Sequence, residues 1–251
     1  MDQDLEYKII KPDESLADFV EQFWFLKNHS DRDIETTGLP DGLVDIILNK
    51  SVTQPFHIIE LGGLTEHENA KLPARCIMFC ISFKLLAVEY VIHQPISDIL
   101  NSGRFLPDDF WGFAESDFMD FEAFVDKASN KIKSLLPAEI DQRKRKLFNL
   151  VYQTNGNITI KELSEKVFWN SRQINRYFNQ QFGISLKAYC TILRFRASLN
   201  HIANGKLSPE GSYFDQNHFI KDVKKFSGVV PKELSKNKND RFILLSAIKD
   251  K

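Results

Sequence analysis

Residues 159–183 read TIKELSEKVFWNSRQINRYFNQQFG, and their reading decides the class of the C-terminal half. Thr159 with Glu162 three positions on is a capping box, opening a helix that turns Ile160, Leu163 and Val167 inward. Asn170 caps a second helix, with Gln173 at the reciprocal position. Ile174, Tyr177, Phe178 and Phe182 fall on one face of that helix, and Gly183 is a natural C′ residue. Only Phe168, Trp169 and Asn170 join the two. Short helices with so tight a joint make a helix-turn-helix over about 159–183. The other positions of the second helix are Asn, Gln, Ser and Arg, with no carboxylate from Ser171 to Gly183. A solvated helix face normally mixes Lys with Glu, so an amide-rich face bearing only positive charge needs a reason.

A DNA major groove supplies one. Arg reaches guanine O6 and N7, Asn and Gln pair bidentately with adenine, and carboxylates would face repelling phosphates. The exposed positions are Arg172, Gln173, Asn175, Arg176, Asn179 and Gln180. Arg172, Asn175 and Arg176 stand at the N-terminal end, which enters a groove deepest. Further along, FIKDVKKFSGVVPKEL repeats the frame of INRYFNQQFGISLKAY, with Gly183 and Gly228 in corresponding places. Asp215 caps this second copy, whose outward face offers Gln216, Asn217, Lys221, Lys224 and Lys225. Ser185 caps a helix of about 185–204 that connects the two.

Charge agrees with this division. Residues 1–140 hold 12 Lys+Arg against 25 Asp+Glu, net −13, while residues 141–251 hold 21 against 9, net +12. An acidic module joined to a basic one is the expected organisation, with domains over 1–138 and 139–251. The acidic module is expected to attract the basic one and to compete with DNA for the same face.

At these residues the chain resembles the AraC/XylS family of bacterial transcription regulators, over roughly 150–235. The resemblance implies an all-α domain with two helix-turn-helix units joined by a long helix, and sequence-specific promoter binding. It implies base reading by Arg172, Asn175 and Arg176 in the first unit and by Gln216, Asn217 and Lys221 in the second. It also implies an N-terminal domain that senses an effector or dimerises. Partners in this reading are promoter DNA, RNA polymerase, a small-molecule effector and a second copy of the chain. Two departures stand out. Phe168 replaces the glycine usual in the first turn, which predicts a wider turn or an extra buried aromatic. The second unit, about 208–228, is short, with Pro209 and Gly211 where a lead-in helix is expected. It is expected to contribute mostly phosphate contacts through Lys221, Lys224 and Lys225. The rival reading is an interaction protein with a degenerate DNA-binding region, whose basic face meets an acidic partner.

The N-terminal half reads as α+β, a small β-barrel or cupin-like sheet plus helices. LPDGLVDIILN (39–49), PFHIIELGGL (55–64) and ARCIMFCISF (74–83) are short apolar runs between turn residues. Leu39-Pro40-Asp41-Gly42 with Asp45 resembles the β-rich, often uncharacterised domain that precedes such DNA-binding regions. Phe23, Trp24, Phe25, Phe79 and Phe83 would line a pocket in such a sheet, or fill its core. From Asp117 the period turns helical; Phe118, Phe121, Phe124, Val125, Ala128 and Ile132 form a stripe suited to self-association or to packing on the sheet.

No catalytic, cofactor or metal site is expected. His57, Glu60, His67, Cys76 and Cys80 lack the spacings of a zinc site. Cys190 sits on the connecting helix without a sequence neighbour to activate it. Three cysteines make no disulfide framework, no apolar run reaches membrane-spanning length, and the acidic N-terminus has no secretion signal. A cytoplasmic location is the expectation.

Overall fold

Period-two alternation sorts the apolar residues of the N-terminal half onto two faces of one sheet. The computed structural model describes residues 4–208, 213 and 215–249. Its strands are β1 (Leu5–Ile10), β2 (Val20–Asn28), β3 (Ile34–Gly38), β4 (Val44–Lys50), β5 (His57–Leu61), β6 (Glu68–Leu72), β7 (Ile77–Phe83) and β8 (Gly103–Leu106). Six form an antiparallel sheet in the order β1-β2-β7-β4-β5-β8, and β3 pairs with β6 in a separate ribbon. Across the sheet, Phe23, Ile81 and Ile46 stand in register on one face, and Trp24, Cys80 and Ile47 on the other.

The phenyl face is covered by α1 (Phe121–Leu135), capped by Asp120, whose side chain accepts the Ala123 N–H. The Phe79 ring meets those of Phe118, Phe121 and Phe124 at centroid distances of 5.1, 5.0 and 5.3 Å. Phe121, Phe124, Ala128 and Ile132 are buried. From Phe121 onward the stripe is thus spent on its own sheet. Strand parity also corrects the aromatic pocket: Phe23, Phe25, Phe79 and Phe83 face the helical side, and Trp24 alone faces the other way.

Seven α-helices follow among the described residues: α2 (Gln142–Gln153), α3 (Ile160–Val167), α4 (Ser171–Phe182), α5 (Leu186–Ala203), α6 (Gln216–Ser227), α7 (Pro231–Lys236) and α8 (Ile243–Lys249). The foreseen caps are present: the Thr159–Glu162 and Asn170–Gln173 boxes, Ser185 and Asp215 at helix starts, and left-handed Gly183 and Gly228 at helix ends. The apolar faces of α2, α3, α4 and early α5 share one cluster with the sheet: Leu147, Phe178 and Tyr189 pack in the same core as Phe83 and Leu85. A second cluster joins α5 to α6, α7 and α8 through Phe195, Leu199, Phe219, Phe226, Leu234 and Leu245.

The C-terminal helix α8, not anticipated from the sequence, packs on α5 and on β3. Arg241, just ahead of it, donates Nε–H to Thr37 Oγ1 (2.7 Å) and Nη2–H to Asn69 Oδ1 (3.0 Å). Its carbonyl accepts the Thr37 N–H at 2.7 Å. The end of the chain is thereby tied to the β3–β6 ribbon, over the sheet face opposite α1.

Candidate nucleic-acid interface and sheet cavity

At the joint between α3 and α4, α3 ends at Phe168, which takes the left-handed conformation (φ 54°, ψ 41°) and stays 87% exposed. The turn is neither widened nor filled by the ring. Phe168 occupies the backbone state a glycine would, and its side chain stands in solvent with Lys146 Nζ 5.9 Å from the ring centroid. Arg172, Gln173 and Arg176 are exposed on α4, and Asn175 is half-buried. Gln173 Oε1 accepts the Asn170 N–H at 3.3 Å as the reciprocal half of the capping box. Asn175 Nδ2 donates to the Ser171 carbonyl at 3.1 Å. The two amides are thus occupied within their own helix, whereas Arg172 and Arg176, one turn apart, have no ion-pair partner among the described residues.

On α6, Gln216, Asn217, Lys221, Lys224 and Lys225 are all exposed. Gln216 Nε2 donates to the Leu207 carbonyl at 2.9 Å, tying the start of α6 to the end of the connecting segment. The expected shortening of the lead-in falls on residues 209–212 and 214, outside the described residues. Pro231 at the first position of α7 suits its fixed φ and missing donor.

Both exposed helices end against the sheet module. The Ile96 N–H donates to the Gln181 carbonyl at 2.9 Å, and a Cβ on Gly183 would lie 3.1 Å from Ser97 Cα and O. A Cβ on Gly228 would lie 2.7 Å from the His67 ring. The acidic module does meet basic residues, but not on the face carrying Arg172 and Arg176. Glu89 accepts from Lys144 (2.5 Å) and from the Tyr177 hydroxyl (3.0 Å), Asp18 pairs with Arg145 (2.8 Å), and Glu21 pairs with Arg196 (2.9 Å). The expected contact of the acidic module with the Arg172–Arg176 face is therefore absent among the described residues, because the charges meet at α2 and α5 instead.

The Leu39-Pro40-Asp41-Gly42 turn is where α5 docks. Gly42 has φ 77°, a Cβ there would strike the Tyr189 ring at 2.9 Å, and its carbonyl accepts the Tyr189 hydroxyl at 3.0 Å. The Tyr152 hydroxyl, which accepts the Leu85 N–H (3.0 Å), can then donate its own proton to Tyr189 Oη (2.9 Å). Burial works to raise the Glu21 carboxyl, but Arg196, Lys11 and Lys84 hold it below the usual range. Burial would lower the Arg196 guanidinium, and Asp41 and Glu21 outweigh it.

Between the Trp24 face of the sheet, the β3–β6 ribbon and the start of α8 lies a cavity of about 360 Å³. Its walls include Tyr7, Trp24, Leu26, Leu43, Ile47 and Met78, and Asp41 and Asp45 open into it. Asp45 Oδ1 accepts the Ser82 hydroxyl at 2.6 Å, and Ser82 Oγ accepts the Trp24 Nε1–H at 3.0 Å. Asp41 Oδ1 accepts the Leu43 N–H at 3.0 Å. Burial, with the neighbouring Asp41, pushes the Asp45 carboxyl up to about 7, and burial likewise raises Asp41. Sequence reasoning singled out Asp41 and Asp45 only as motif letters; Trp24 was separable from its phenylalanine neighbours by strand parity alone.

Among the described residues no three His, Cys, Asp or Glu side chains gather as a metal site requires. Glu60 instead accepts from Arg104 Nε at 2.7 Å, and Cys76 and Cys80 are buried. Burial pushes the Cys190 thiol up to about 11, which keeps it from acting as a thiolate. No described helix is long and apolar enough to cross a membrane.

Residues 8–103 match a family model described as a domain of unknown function, DUF6597. That stretch runs from within β1 to the first residue of β8 and includes β2 to β7 and the Asp41–Asp45 wall of the cavity. No curated protein matches the sequence. Among solved structures the chain is similar to ToxT from Vibrio cholerae O395, with 11% identity over 93% of this chain and 98% of that one and a TM-score of 0.43. ToxT bound to (E)-4-(8-methylnaphthalen-1-yl)but-3-enoic acid gives 11% identity, coverages of 97% and 100%, and a TM-score of 0.42. Unsaturated fatty acid-bound ToxT gives 12%, 91% and 93%, and 0.39.

Proposed function

We propose that this chain is a sequence-specific DNA-binding transcription regulator whose sheet module responds to a small-molecule effector. One observation carries the reading: α4 presents Arg172 and Arg176 exposed, unpaired among the described residues, and on a helix without a carboxylate. Arginines so placed reach guanine edges when the helix lies in a major groove. The resemblance of residues 150–235 to AraC/XylS regulators supports the same assignment. In this reading α4 reads bases, α6 adds Asn217 and the backbone-neutralising Lys221, Lys224 and Lys225, and the segment docked on the sheet holds both in a fixed relation. Cys190 and the histidines take no catalytic part.

The test is selection of bound fragments from genomic DNA by the purified full chain, followed by titration on the enriched sequence and on random duplex. A regulator binds the enriched fragment at least 10³-fold more tightly at physiological salt. Equal affinity for both would instead favour the rival reading, a basic surface that meets an acidic protein.

A further inference from the structure

The Trp24 face of the sheet keeps polar groups in a place where the rest of the wall is hydrocarbon. Gln22 and Asp45 both stand in register with Ser82, so they flank it from the neighbouring strands β2 and β4 on the cavity side. Gln22 is only 9% exposed and lines the cavity, yet its amide makes no hydrogen bond among the described residues. Asp45 spends one carboxylate oxygen on Ser82, and Asp41 spends one on Leu43. Glu68 adds a third carboxylate at the rim, and no Lys, Arg or His lines the cavity among the described residues. The rings of Trp24 and Tyr7 stand beside these groups, 6.1 Å apart by centroid and tilted by 36°. A buried carboxylate is costly unless its charge is compensated, and among the described residues Asp41 has only Arg196, on its far side, to share its charge. Two buried carboxylates, an idle amide acceptor and two aromatic rings thus converge on one space of ligand size with no cation in its described lining.

We propose that this cavity binds an organic ammonium ion, its charged head among Asp41, Asp45 and Gln22 beside the Trp24 and Tyr7 rings, and its apolar part along Leu26, Leu43, Ile47 and Met78. Carboxylates and the Gln22 carbonyl can accept the ammonium protons, and aromatic rings attract the same charge. The acidic lining repels a carboxylate ligand. Asp41 and Gln22 also line an adjoining cleft of about 330 Å³ together with Arg196 of α5 and Glu21. Asp41 therefore stands between the ligand space and the guanidinium on the helix connecting the two units. A bound cation draws on the negative charge that Arg196 otherwise shares with Asp41 and Glu21. That this shift alters DNA binding rests on the function proposed above; the binding itself does not.

Isothermal titration of the full chain with three ligands of one shape at pH 8 tests the proposal: 2-phenylethylamine, 2-phenylethanol and 3-phenylpropanoic acid. The amine is expected to bind at least tenfold more tightly than the alcohol, and the acid not at all. In Asp45→Asn, checked for folding by circular dichroism, the amine is expected to lose at least tenfold in affinity while the alcohol is unaffected. Equal or tighter binding of the alcohol or the acid, or no binding by this amine or by hexylamine at millimolar concentration, overturns the proposal without any variant. DNA affinity measured on the same samples separates the two claims. Amine binding with no sequence-selective DNA binding leaves the ligand site standing and removes the regulatory reading.

Discussion

Arg172 and Arg176 lie one helical turn apart on α4, and neither is held by a carboxylate among the described residues. Their free guanidinium groups give α4 its reach, since Gln173 and Asn175 are already bonded within the helix. Replacing either arginine by Ala is expected to cost about 1–3 kcal/mol of binding and to relax preference at one base pair, read by anisotropy on the selected and scrambled duplexes. Equal weakening on both would reduce these residues to phosphate contacts. Replacing Lys224 or Lys225 is expected to weaken binding to every sequence and to shrink the slope of log affinity against log salt by about one. At the other end of the molecule, Asp45 faces Asp41, Ser82 and Cys80, with Tyr7 and Arg196 in electrostatic range. Its folded value of about 7 lies above the ordinary 3.8, so the folded state keeps a proton that the unfolded chain gives up. The stabilisation is full below about pH 4 and disappears as pH rises towards 7. Urea unfolding should therefore show Asp45→Asn gaining on the wild type between pH 5 and 7, by about 1.4 kcal/mol per pH unit at most. A constant difference across that range would contradict the assignment.

At the scale of elements, helix ends matter most, because both exposed helices stop where the sheet module begins. Gly183 combines φ 72° with the backbone of Ser97 at 3.1 Å from any added Cβ. Gly183→Ala is expected to destabilise the chain by about 2–3 kcal/mol, from left-handed strain and a contact with unyielding main chain, and to lower the melting temperature accordingly. Phe168 is the converse case. A phenylalanine at φ 54° carries left-handed strain without packing in return, so Phe168→Gly is expected to raise stability by up to about 1 kcal/mol after the entropy of the unfolded glycine is counted. The sequence marked the turn and both its caps, because helix starts and stops depend on residues within one turn of each other. It did not show that a phenylalanine would adopt the conformation a glycine normally takes, since its ring had the option of burial.

At the scale of the molecule, the acidic and basic halves are not tethered beads. Phe83 and Leu85 share a core with Phe148, Phe178 and Tyr189, and Arg241 pins the C-terminal segment to the ribbon over the cavity. A fragment from residue 141 onward would expose the side of α2 to α5 that the sheet now covers. It is expected to bind the dye ANS strongly and to unfold with less cooperativity than the full chain, which is expected to melt in one transition. A fragment that melts sharply without binding dye would show that the helical half holds its own core. The same shared core gives a route between the cavity and the exposed faces of α4 and α6, since α5 carries Tyr189 and Arg196 against the sheet and packs on both helices.

The helices α3, α4, α5 and α6, their caps and the carboxylate-free face of α4 could all be read from residues 159–228, because each depends on contacts within a few positions along the chain. Strand parity, also local, would have placed Trp24 apart from Phe23 and Phe25. The neighbours of Asp41 could not be read this way. They include Arg196 and the docking of Tyr189 onto Gly42 across 147 positions of sequence. Nor could the fate of the phenyl stripe, which was equally suited to a partner chain until β7 covered it. Desolvation, charge pairing and the closing of a cavity arise where distant segments exclude water together, so only the tertiary structure decided them.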